Sequence, residues 1–174
     1  MAIGPVLARL DRALSAVEAG FVAAAMAAAS LLLFVNVILR YVFLSALSWA
    51  EEVTMYLIVW LVFVGGSVTL RMFGHISIDL LPLALPPGGA RRLKLFVSCA
   101  MLIFFAAFFY YSGLHTLRVM TTGQLTPVLE APMWLTYLAM PVGSLLMGIR
   151  TAQILYRTAS AARDDASRPS TLAD

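Results

Sequence analysis

The chain has 174 residues, 61% hydrophobic and only 12% charged, with a mean hydropathy of +0.91. Soluble domains are about 45–50% apolar and about 25% charged, and a soluble fold this apolar would expose large aggregation-prone patches, so composition excludes an ordinary soluble protein and points to a bilayer. The net charge of +3 sits at the ends of apolar runs, not along one face, which fits membrane orientation rather than nucleic acid, and the single Cys99 excludes an internal disulfide or a cysteine-based zinc site.

In chain order, residues Pro5 to Gly20 place Val6, Leu10, Leu14 and Val17 on one helical face, with Arg9, Asp11, Arg12 and Glu18 elsewhere. That pattern predicts an amphipathic N-terminal helical extension running into the first span. Its length and acidic residues, and the full-length apolar run after it, read as a retained helix rather than a cleaved signal.

A membrane helix needs about 20 mostly apolar residues, and four segments qualify. The first covers about 21–39, between Glu18 and Arg40. The second covers about 53–70, between the Glu51-Glu52 pair and Arg71. The third covers about 95–117, between Lys94 and Arg118. The fourth covers about 133–149, opening after Pro132 and ending at Arg150, with Pro141 expected to kink it. Helices are required because lone strands leave backbone groups unpaired in lipid. Residues 1–158 thus form one four-span, all-α membrane domain, and the small polar residues of 159–174 read as a disordered tail.

Of the twelve Lys and Arg residues, all but Arg40 and Arg118 fall on the side of the termini and the middle loop. The positive-inside rule places both termini in the cytoplasm. The halves share no repeat, which argues against an inverted-repeat carrier.

Ionisable residues inside spans usually mark function; here Arg40, Glu51, Glu52, Arg71, His75, Asp79, Arg118 and Glu130 read as lying at or beyond span ends. Asn36, on the face of Arg40, is either a polar clamp between helices or subunits or a near-interface residue satisfied by water or its own backbone. Trp49 reads as an interface anchor. Glu51 and Glu52 favour a helix start, and either could pair with Arg40 or meet a partner's basic residues. Gly65-Gly66-Ser67 reads as a close-packing patch, and the aromatic run Phe104, Phe105, Phe108, Phe109, Tyr110 and Tyr111 as lipid-facing bulk with an outer belt. His75 and His115 fall on opposite sides of the membrane and cannot share a haem iron. No nucleophile–base pair, phosphate loop or metal motif suggests an enzyme or a cofactor.

Four blocks in order carry a family resemblance: Asn36-Val37-Ile38-Leu39-Arg40-Tyr41-Val42-Phe43; Ser48-Trp49-Ala50-Glu51-Glu52; Trp60-Leu61-Val62-Phe63-Val64-Gly65; and Arg71-Met72-Phe73-Gly74-His75-Ile76-Ser77-Ile78-Asp79. Together they resemble the small permease subunit of the tripartite ATP-independent periplasmic (TRAP) transporters. Met55 departs from the basic residue often found there in that family. The resemblance implies a bacterial inner-membrane subunit that supports a larger, elevator-type membrane permease carrying the substrate and sodium sites. It also implies a periplasmic solute-binding protein as partner, an organic acid as solute, and no solute site in this chain. Asn36, Arg40, Trp49, Glu51, Glu52, Gly65, Arg71, His75 and Asp79 are then candidate contacts with partner subunits and lipid. The competing expectations are the small subunit of a tripartite tricarboxylate transporter and a stand-alone multidrug-type transporter.

Overall fold

An amphipathic stretch leading into a charge-free apolar run, with no proline after the first turn, gives α1 (Ile3–Val42), 40 residues of continuous helix. The structure, a computed structural model, describes residues 3–73 and 87–166. The amphipathic extension and the first span are therefore one helix, as its periodicity allowed. It ends where Leu44 adopts a left-handed conformation (φ 53) and the amides of Phe43 and Ser45 both donate to the Leu39 carbonyl, which satisfies orphan acceptors at the helix end.

Three further helices follow: α2 (Ser48–Phe73), α3 (Pro87–Thr122) and α4 (Trp134–Ala166). Pro87 opens α3, where its missing N–H costs nothing, and Gly123 ends it with φ 64, a conformation that suits glycine. All four helices are long and apolar enough to cross a membrane. This matches the all-α, four-span expectation. The helices overrun the expected spans, however, and α4 continues past residue 158 to Ala166. Hydroxyls within them, such as those of Thr54, Thr69 and Thr151, donate to the carbonyl one turn back, a common way of hiding a hydroxyl from lipid.

The helices are not a closed bundle. Among the described residues α1 packs on α2, α2 also packs on α4, and α4 on α3. The row is held tight by small residues of α2 and α4. A Cβ on Gly65 would lie 3.9 Å from Val22 of α1 and one on Gly66 would run into Met147 of α4, while one on Gly143 would lie 2.6 Å from the Cβ of Phe63 and 2.9 Å from its carbonyl oxygen. The small-residue reading of Gly65-Gly66-Ser67 is therefore packing within the chain, on two sides of one helix. Phe108 stacks on Phe63, whereas Phe104, Phe109, Tyr110 and Tyr111 are exposed. The aromatic run thus divides between an inner and an outer face.

Pro141 does not stop α4. Its ring nitrogen cannot donate to the carbonyl of Tyr137, and the Thr116 hydroxyl of α3 lies 3.2 Å from that oxygen, shared with the Ser112 carbonyl at 2.8 Å. A helix defect on α4 is thereby covered by its neighbour.

Candidate functional site: polar staples at both ends of the helix row

At the end away from the termini, Asn36 is 4% exposed, and its Oδ1 accepts the backbone N–H of Leu47 at 2.8 Å. Its Nδ2 lies 3.5 Å from Glu51 Oε1. Glu51 in turn sits 3.6 Å from Arg40, with both side chains more than half exposed. Within the chain, Asn36 ties the short α1–α2 loop to the helix it has just left. Trp49 stands exposed beside this group.

Glu52 does something different from its neighbour. Its two oxygens accept the backbone N–H groups of Val128 and Leu129, each at 2.9 Å. The segment it holds is a short antiparallel turn: Leu125 bridges Pro132, the Thr126 amide donates to the Ala131 carbonyl, and the Ala131 amide donates to the Thr126 hydroxyl. Tyr56 OH donates to the Pro132 carbonyl and Trp60 Nε1 to that of Leu135. One face of α2 thus secures the whole α3–α4 connection. Nothing in the local sequence around Glu52 identifies amides 76 and 77 residues away as its partners.

At the end carrying the termini lies a group that the sequence reading missed. Arg150 was expected to mark the end of the fourth span; instead it lies well inside α4 and is 2% exposed. Its Nη1 pairs with Asp11 and also donates to Gln153 at 3.3 Å. Its Nη2 donates to Ser15 Oγ and Glu18 Oε2, both at 3.0 Å. Glu18, 3% exposed, accepts the Ser67 hydroxyl of α2 on its other oxygen at 3.0 Å. Asp11, Ser15 and Glu18 recur at helical spacing on one face, which was the available signal. Asp11, Ser15 and Glu18 of this extension face α4.

Beside this group a groove of about 350 Å³ is lined by Ser15, Glu18, Ala19, Val68 and Arg71. Arg71 is exposed at its rim. Gly65 faces Val22. His75 and Asp79 lie outside the described residues, and His115 packs edge-on against Tyr137 at 4.8 Å.

Four spanning helices with buried polar links between them define a multi-pass membrane protein, and the comparisons narrow that class. The family model described as "Tripartite ATP-independent periplasmic transporters, DctQ component" matches residues 29–161. A Haemophilus influenzae protein named as a TRAP transporter small permease protein is 34% identical over 130 residues, covering 75% of this chain and 77% of the relative. The ectoine TRAP transporter small permease protein TeaB of Halomonas elongata is 29% identical over 145 residues, 83% of this chain and 75% of that one. The C4-dicarboxylate TRAP transporter small permease protein DctQ of Vibrio cholerae is 27% identical over 172 residues, with 86% and 74% covered. The chain belongs to the DctQ component family of TRAP transporters, as the four blocks implied, and is a multi-pass protein of the cell inner membrane.

Proposed function

We propose that this chain is the scaffold subunit of a sodium-coupled TRAP importer of organic acids, bracing the large permease subunit rather than binding the solute. The observation that carries this reading is how the buried charge is used. Among the described residues the buried charged side chains are Glu18 and Arg150, and they bond to each other. A translocation path needs polar or ionisable groups that can exchange partners with solute or ion; here those groups link helices. Exposed apolar residues such as Leu31 and Phe34 on α1 and Ile103 and Phe104 on α3 offer surface to lipid and to the large subunit. The end with Arg40, Trp49 and Glu51 exposed then faces the periplasm and the solute-binding protein, because the side with few basic residues is translocated.

Relatives are named for C4-dicarboxylate and for ectoine, so the proposed solute is a small carboxylate. The test is co-expression with the large subunit followed by co-purification and reconstituted uptake over a panel of carboxylates, with and without a sodium gradient. One eluting complex and uptake needing both chains supports the scaffold reading. Full-rate uptake without this chain, or uptake by this chain alone, overturns it.

A further inference from the structure

We infer that Arg150, with Asp11, Ser15, Glu18 and Ser67, is a cross-brace that fixes the angle of α1 relative to α4 across the intervening α2. Among the described residues, α1 has a packing partner in α2 alone. That seam is pinned at the far end by Asn36 and Glu51, which leaves the end of α1 near the termini able to pivot, and within lipid no hydrophobic force opposes that motion.

The guanidinium supplies the missing constraint. Its two terminal nitrogens reach Asp11, Ser15 and Glu18 of α1 at once, a spread that a rigid planar fork holds and an ammonium, with all its donors on one nitrogen, does not. Ser67 of α2 bonds the same Glu18 carboxylate, so the three helices meet at one point. The reach is possible because α2 is thin at this level: Gly66 lets Met147 of α4 close in, Gly65 lies against Val22 of α1, and the neighbouring Ser67 is fully buried. Arg150 follows Met147 by roughly one turn of α4, and Glu18 precedes Val22 by roughly one turn of α1. Small residues and charged residues form one device, with the waist in α2 and the strut across it. The inference needs only the geometry of this chain, and so stands apart from the scaffold reading.

Paired nitroxide labels on the full chain in lipid nanodiscs test it, with Cys99→Ser as background. One pair, Val17→Cys and Tyr156→Cys, reports α1 against α4; a second, Val62→Cys and Leu145→Cys, reports α2 against α4. All four positions are exposed. The expected result is a single narrow α1–α4 distance peak that is lost in Arg150→Met and in Arg150→Lys, while the α2–α4 peak is kept. If Arg150→Met does not fold, Asp11→Asn/Glu18→Gln/Arg150→Met, with no charge left to bury, decides the matter: loss of the α1–α4 peak alone supports the brace. An unchanged α1–α4 peak in the neutral variant overturns it, as does simultaneous loss of both peaks, which would make Arg150 a general folding residue.

Discussion

The side-chain oxygen of Asn36 accepts the backbone N–H of Leu47 at 2.8 Å, so the residue that closes the first hairpin lies on the helix before the turn and not within it. Leu44, in a left-handed conformation without the freedom of glycine, turns the chain at a cost. The Asn36 bond helps to hold that geometry. Asn36→Leu should lower stability by about 1–3 kcal/mol through the unpaired Leu47 amide, whereas Asn36→Asp combined with Glu51→Gln, which keeps an acceptor for that amide and removes the facing carboxylate, should lose less. Thermal unfolding of the purified protein in detergent checks the order; equal stability of Asn36→Leu and wild type would remove the clamp role.

Glu52 and Glu51 are adjacent yet unlike. Glu52 holds two backbone amides of the α3–α4 turn, while Glu51 meets an exposed arginine. Glu52→Ala should therefore speed hydrogen exchange of the amides of Val128 and Leu129, and Glu51→Ala should leave them unchanged. For the exposed Arg40–Glu51 pair the stability loss should be within about 1 kcal/mol. Exchange mass spectrometry separates the two, and identical profiles would contradict the assignment.

The glycines differ in what surrounds them. At Gly143 a Cβ meets backbone atoms of Phe63 at 2.9 and 3.0 Å, at Gly66 it meets the movable end of Met147, and at Gly113 it meets nothing within 4 Å. Gly143→Ala should cost about 1–3 kcal/mol by overpacking. Gly66→Ala should cost less, because Met147 can shift, and Gly113→Ala should be neutral or slightly stabilising. Any other order in a denaturant series would mean that α2 and α4 are less closely joined than the geometry requires.

Thr116 and Pro141 are coupled through the Tyr137 carbonyl. Thr116→Val should cost about 0.6–2 kcal/mol, and the cost should shrink in a Pro141→Ala background, where the alanine amide can bond that carbonyl itself. A double-mutant cycle reads the coupling directly. Additive losses would show that the hydroxyl does not serve the proline defect.

The sequence by itself determined the elements and the family. Four charge-free runs of spanning length can satisfy their backbone in lipid only as helices, and the four blocks from Asn36 to Asp79 pointed to a family that the family model and the relatives bear out. Local chemistry also made Asn36, Glu51 and Glu52 stand out, because a polar residue beside lipid needs a partner.

What sequence left open was which partner. Hydropathy reports how far a residue is from a span end but not what stands opposite it. Arg150 looked like a boundary cation because charge usually ends a span, yet three polar groups of a helix more than a hundred residues earlier in the chain make its burial tolerable. Likewise, the amides held by Glu52 and the carbonyl covered by Thr116 become neighbours only once the helices line up in the order α1, α2, α4, α3. That order depends on the close approaches at Gly66 and Gly143, and so it belongs to the tertiary structure rather than to any segment alone.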